Sequence, residues 1–518
     1  MIDKSLIKTM KRYDNLKELV NSAAELYGEQ DAYRFKCKKD IVSKSFLDLK
    51  ADSQAFSNFL NNESLIGKHI AVIGASSYEW VVTYFGTVNS NSVIVPIDKE
   101  LPADDITELL NRADVSALVY DNLIEDRLET IIKSCENIQY FISMNDKTER
   151  DGILAFSKII SEYQGAFDVK IDSKKMCTIL FTSGTTGKSK GVMLSHTSLI
   201  DNATCLDMGE TRGSITLSVL PIHHVYCFTC DILIGLAIGA TVCFNDSIMR
   251  LVKNISIFKP NIILLVPMII ESIVYRLNEA VKANPSVPKP MLAQSVFGPQ
   301  LRTIYSGGAY LNPKLIDALR EFGIELLQGY GMTEFSPRIC NNLRGCSKND
   351  SVGFAIPGAE VKIDNGEIVA KGKSMMLGYY KDEKATSEAI VDGWLRTGDL
   401  GRIDDDGFVY ITGRKKNLII LANGENVSPE ELENKFNGWL LAKELMIYSE
   451  DNHITIEVFP NADFIEKAGI ADVKAAVNSK VDEINAQLPL YKRIVNVKIR
   501  ETEFEKTASN KIKRKYNK

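Results

Sequence analysis

Short β-branched runs alternate with helical patterns along the first four hundred residues, and this rhythm restricts the fold more than any other feature of the chain. "HIAVIGA" (69–75) reads as a buried strand and "SYEWVVTYFGTVNSN" as the helix after it. "SVIVPID" is a second strand, "DDITELLNRA" a helix and "SALVYD" a third strand. Buried strands separated by helices pair in parallel through crossovers, so a doubly wound α/β sheet is expected. The rhythm returns in "ATVCFND", "SIMRLVKNISIFK", "NIILLVP" and "MIIESIVYRLNEAVKA". After the Pro-rich "NPSVPKP" it continues with "LRTIYSGG", "PKLIDALREFG" and "ELLQGYG". Two doubly wound layers within one large domain follow.

From Ser351 the pattern turns to short strands and Gly/Asp turns, as in "EVKIDNGEIVAKG" and "GDLGRIDDDGFVYITG", which predicts an antiparallel β region. Beyond Arg414 come a helix "SPEELENKF", a hairpin "ELMIYSEDNHITIEVF", a helix "VKAAVNSKVDEINAQL" and a strand "RIVNVKIR". The fold class is therefore α/β, with a large N-terminal domain over 1–414 and a small α+β domain over 415–518. A chain of 518 residues, 45% hydrophobic, is long enough to fill both cores.

Charge and cysteine usage narrow the function. A net charge of -5 argues against nucleic acid as the main partner. Nine scattered cysteines read as reduced thiols of a cytoplasmic protein. The opening "MIDKSLIKTMKRYDNLKELV" has no signal-peptide core, and "IIKSCENIQYFISM" and "NIILLVPMIIESIVY" are too short or interrupted to span a bilayer.

The chemistry concentrates first in "TSGTTGKSKG", Thr182 to Gly191. A Walker A loop would need its first glycine at position 182, which is Thr182, and a helix directly after the loop. Here "MCTILF" and "KGVMLS" flank it as strands, and a helix starts only at Ser195, a good N-cap. The loop can still cradle phosphate. Gly184 and Gly187 allow close backbone approach, Thr182, Ser183, Thr185 and Thr186 add hydroxyls, and Lys188 adds charge.

"LFTSGTTGKSKGVMLSH" resembles the signature loop of the adenylate-forming superfamily, which holds acyl-CoA synthetases, luciferase-like enzymes and peptide adenylation domains. Ser189 replaces the usual proline. Six further stretches resemble that family. "SGGAY" places Gly307, Gly308 and Ala309 against adenine. "QGYGMTE" supplies Gln328, Gly329, Tyr330 for stacking, Gly331, Met332, Thr333 for the α-phosphate or acyl carboxylate, and Glu334 as a Mg²⁺ ligand. "GWLRTGDLG" and "GRKKNLII" place Asp399 and Arg414 on the ribose and Lys416 at the hinge of a mobile C-terminal domain. "FEKTASNKIKRK" places Lys511 as the catalytic cation, after Asn510 where relatives have glycine. "LANGENVSPEELE", around Gly424, resembles the wall of a thiol tunnel.

"PIHHVYCFTC" permits a zinc reading through His223, His224, Cys227 and Cys230, but no second C-x-x-C exists to complete it. The resemblance instead makes His224 and Tyr226 the gate of an acyl pocket. Amino-acid-activating relatives have an acid beside that gate, whereas Asp231 comes well after it. The resemblance thus implies a ligase using ATP, Mg²⁺ and coenzyme A on a carboxylic acid, foremost a fatty acid. The alternatives are a ligase loading an acyl carrier protein and a non-catalytic adenylate sensor. Retention of Lys188, Glu334, Asp399, Arg414 and Lys511 together opposes the sensor.

Overall fold

The computed structural model describes residues 4–182, 189–421, 425–450, 453–506 and 512–514. The chain divides into two compact units. One comprises Met1–Val361, Ala370–Leu395 and Asp405–Phe408, the other Lys362–Val369, Arg396–Asp404 and Val409–Lys518. The smaller unit thus begins ahead of the 414/415 boundary drawn from sequence and recruits two upstream segments.

The first unit carries two large sheets. In the eight-stranded sheet, His69–Ile73 pairs in parallel with Val93–Ile97 and Val115–Tyr120, and parallel pairing continues to Tyr140–Ser143 and Ile153–Ala155. On the other side, Met176–Thr182 runs parallel to Val93–Ile97, and Lys190–Ser195 then returns antiparallel to it. All five residues of Val93–Ile97 are buried, as a central strand covered on both faces requires. Helices form where the caps allow. Ser77 accepts from Trp80 N ahead of Tyr78–Val88, and Ser195 closes a capping box with Ser198 ahead of His196–Thr204.

The nine-stranded sheet has a parallel centre of Asp31–Cys37, Thr241–Phe244, Ile215–Ser218, Ile262–Leu265, Thr303–Ser306 and Glu325–Gly331. Antiparallel strands finish both ends, Asp40–Ser45 on one and Arg338–Asn341 with Phe354–Ala355 on the other. Leu217, Ile263, Ile304 and Leu326 meet helix residues Ile255, Ile270, Leu277 and Leu319 in one apolar cluster. Each such side chain contributes about 1.5–3 kcal/mol on burial. A similar cluster sets Ala71, Val95, Leu118 and Ile179 against Ile106, Leu110, Leu128 and Ile131.

In the second unit, Ala442–Glu450 and His453–Pro460 form an antiparallel hairpin with Asn496–Ile499 parallel to it. Val477, Val481 and Ile484 of the helix Val473–Asn485 cover that sheet's Ile447, Ile456 and Val458. Asp399 to Ile403 pair antiparallel with Val409–Arg414, the hairpin its Gly/Asp turn predicts.

Candidate active site

The strand Met176–Thr182 and the strand Lys190–Ser195 are partners in register, with Thr182 opposite Lys190. The glycine loop therefore closes an antiparallel hairpin, and the next helix starts at His196. Among the described residues a strand follows the loop where a Walker loop has a helix. Thr182 Oγ1 lies 3.5 Å from the Lys190 carbonyl. Ser183, Gly184, Thr185, Thr186, Gly187 and Lys188 lie outside the described residues.

Two parallel strands of the nine-stranded sheet end in the other predicted motifs, on the carboxyl edge where open α/β sheets bind ligands. Thr303–Ser306 runs into Gly307, Gly308 and Ala309. The Tyr226 ring packs on Gly307, where an added Cβ would sit 3.2 Å from Cζ. Glu325–Gly331 runs through Gln328, Gly329 and Tyr330 into Met332 and the 3₁₀ turn Thr333–Phe335. Gly331 is obligatory, since a Cβ there would lie 1.9 Å from the Pro337 carbonyl oxygen. Asn202 fixes the far side of the turn: its Nδ2 donates to the Phe335 and Arg338 carbonyls at 2.9 Å, and its Oδ1 accepts from Arg338 N.

Glu334 is buried, and its Oε1 accepts from the Tyr379 phenol at 2.8 Å. Burial and then the Glu334 charge push the Tyr379 phenol well above its ordinary pKa, so it stays a donor. Lys190 Nζ stands 4.8 Å from the centre of the Tyr379 ring. Among the described residues no Lys or Arg nitrogen lies within 4.0 Å of the Glu334 carboxylate. A carboxylate held by a neutral donor suits the oxygen-loving Mg²⁺, which takes one or two carboxylates together with phosphate oxygens.

The histidine–cysteine run sits after the strand Ile215–Ser218. His224 is exposed, and its ring centre lies 4.3 Å from that of His223. His223 approaches Asp98 at 3.8 Å, yet burial, helped by His224 and Lys99, drives its pKa well below normal. Cys227 donates to the Leu220 carbonyl at 3.2 Å, and burial raises its thiol far above the usual range. Cys230 is pushed up to about 12, also by burial. Without a metal, burial keeps both thiols protonated. Asp231, in the π-helical turn Phe228–Leu233, is buried against the Thr216 hydroxyl at 3.2 Å, and burial raises its carboxyl to about 7.

In the second unit, Asp399 is buried and its Oδ1 lies 2.7 Å from Arg414 Nε, across the strand pair that sets the two residues opposite each other. Asp399 N donates to Thr397 Oγ1 at 3.1 Å. Lys416 is exposed in the 3₁₀ turn Lys415–Asn417. Gly424 and Lys511 lie outside the described residues. Next to Lys511 in sequence, Ile512 bridges to Lys506, and Arg514 bonds to Glu433 and to the Ile447 carbonyl.

The sequence reading missed Tyr379, Lys190 and Glu367. The phenol reaches Glu334 across 45 positions of sequence, and no local pattern reports such a pair. "GYYKD" offered only a tyrosine beside a turn.

The AMP-binding enzyme family matches residues 20–380, and its C-terminal domain matches residues 416–517. The chain belongs to the AMP-binding enzyme family. It is 27% identical to a long-chain-fatty-acid–CoA ligase of Mycobacterium bovis, over 74% of this chain and 71% of that one. It is 30% identical to a probable 4-coumarate–CoA ligase of Dictyostelium discoideum, over 71% of each. Among solved structures, an anthranilate CoA ligase in complex with anthranoyl-AMP superposes with a TM-score of 0.82 at 19% identity, covering 97% of this chain and 96% of that one. This shared fold is the α/β architecture expected from sequence. Among the described residues no helix is long and apolar enough to cross a membrane.

Proposed function

We propose that this AMP-binding enzyme is an AMP-forming acid–thiol ligase that activates a fatty acid with ATP and passes the acyl group to coenzyme A. The observation that carries the reading is the buried Glu334 carboxylate, held by a neutral phenol at the carboxyl end of a parallel strand. The long-chain ligases among its relatives support the choice of acid and thiol.

In the first step a carboxylate oxygen attacks the α-phosphorus of ATP, the bond to pyrophosphate breaks and acyl-adenylate forms. Tyr330 would stack on adenine beside Gly307, Gly308 and Ala309, while Gln328, Gly329, Gly331 and Met332 shape that wall. Thr182 to Lys188 and Thr333 would donate to phosphate oxygens, and Asp399 with Arg414 would hold the ribose. Glu334 would hold Mg²⁺, which when bound neutralises phosphate charge. Lys511 would stabilise negative charge growing in the transition state. His224 would border the acyl site. In the second step the thiol sulfur attacks the acyl carbonyl, AMP leaves with the electron pair, and the thiol proton passes to solvent. The C-terminal domain would turn at Lys416 between the steps, bringing the segment around Gly424 to the thiol.

Carboxylate-dependent ATP–pyrophosphate exchange, run with fatty, aryl and amino acids, together with AMP release with and without CoA, tests this reading. Exchange with fatty acids and CoA-dependent AMP release are expected. Exchange that ignores CoA would transfer the acceptor role to a carrier protein, and no exchange with any acid would sink the proposal. Lys511→Ala is expected to abolish exchange yet spare thiol transfer from preformed acyl-adenylate.

A further inference from the structure

The second unit contains a buried carboxylate that the proposed reaction does not use. Glu367 opens the strand Glu367–Gly372 and is 2% exposed. Its two oxygens are divided. Oε1 accepts from the Gly398 backbone N–H at 3.0 Å. Oε2 accepts from Lys415 Nζ at 2.9 Å, with Arg396 at 3.6 Å. Arg396 is balanced further by Asp364 at 2.5 Å.

Gly398 is the residue before Asp399 and has φ +72°, a left-handed turn with no side chain of its own to fix it. The turn is held from the strand beside it. Thr397 Oγ1 donates to the Ile368 carbonyl at 2.6 Å and accepts from Asp399 N, while Glu367 takes the N–H in between. Two consecutive residues, Glu367 and Ile368, thus fix three consecutive ones, Thr397, Gly398 and Asp399. Consecutive cations Arg414 and Lys415 pair with the two acids, Asp399 and Glu367. A buried carboxylate is retained only when its charge and lone pairs are met, and here every contact serves this turn or the strand opposite it.

We infer that Glu367 is a positioning residue for the nucleotide: through the Gly398 N–H it fixes the turn that aims Asp399 at the ribose. This rests on the ribose role of Asp399. The contact that matters is the reach of the oxygen to Gly398, and the cations hold the second oxygen in place.

Calorimetric titration of the full chain with AMP separates the parts. Asp399→Ala tests the underlying reading, and AMP affinity equal to wild type there would overturn the ribose assignment itself. With that assignment standing, Glu367→Ala and Glu367→Asp, which lose the reach, are expected to weaken AMP about tenfold. Glu367→Gln, which keeps the reach without the charge, is expected to stay within about threefold of wild type. The KM for the acid should change by less than about twofold in all three. AMP affinity unchanged in the Asp variant overturns the inference. So does a Gln variant as weak as Asp, or an acid KM that rises in step with AMP loss. If Glu367→Ala does not fold, the Asp and Gln pair decides alone.

Discussion

Glu334, in the turn after a strand of the first unit, and Asp399, in the second unit and within the strand Trp394–Ile403, are both buried acids, yet they are held in opposite ways. Glu334 has a phenol for a partner and, among the described residues, no cation within ion-pair distance. Asp399 is paired with Arg414 at 2.7 Å, and the neighbouring Glu367 with Lys415 at 2.9 Å. The difference follows from what each would bind. A ribose is neutral, so the protein balances the charge of the acids that hold it. Mg²⁺ on a polyphosphate brings its own charge, and a carboxylate already neutralised by Arg or Lys would hold it poorly. Asp231 is a third case: among the described residues its side-chain partners are hydroxyls and a thiol, and burial raises its carboxyl to about 7.

The contrast breaks most visibly at Glu334. Glu334→Gln keeps the shape and the phenol contact but removes the charge, and pyrophosphate exchange is expected to fall about 10²–10³-fold at saturating ATP. A fall of less than about threefold would mean that the charge left unpaired there serves no cation. Asp399→Ala should act on binding instead, raising the KM for ATP about 10–100-fold and leaving Arg414 without its partner. Steady-state kinetics on the two variants would merge the cases if both lowered kcat alone.

Asp231 sharpens the comparison through stability. Its carboxyl is raised to about 7 in the folded chain, against about 4 when unfolded. The native state therefore binds a proton that the unfolded chain has released. This group favours folding most below about pH 4, loses that contribution as pH rises, and costs its full amount above about pH 7. Asp231→Asn removes the titration, so its stability relative to wild type should gain on the order of 2–3 kcal/mol more at pH 8 than at pH 5. Urea melts at the two pH values measure it, and an equal gain at both would show that Asp231 does not titrate there. The smallest effect belongs to Tyr379→Phe, which removes one hydrogen bond to Glu334. The Mg²⁺ concentration for half-maximal exchange should shift about 2–10-fold with little change in the melting temperature. A large loss of stability without that shift would make the phenol a packing group only.

Much of this was legible because it is local. The β-branched runs at 69–75, 92–98 and 116–121 became parallel strands, since a strand covered on both faces must be apolar throughout. Ser195 capped its helix because a side-chain oxygen can reach a backbone N–H three residues on. Asp399 and Arg414 were each picked out by resemblance to family motifs, and strand register sets them opposite each other. The partners of the acids were not legible. Tyr379 comes to Glu334 from 45 positions away, on a strand of the other large sheet, and Glu367 comes to Gly398 from 31, on the neighbouring strand.

By itself, then, the sequence determined the periodicities, the caps and the two strands that flank the glycine loop, while the acids were picked out by resemblance to a known family. The periodicities, caps and strands depend on interactions within a few residues, where backbone geometry alone fixes what can touch. Only the tertiary structure decided which acid keeps its charge for a ligand and which is neutralised within the protein. That choice is made by the donors and cations that sheet topology brings alongside, and by the burial that strengthens their effect.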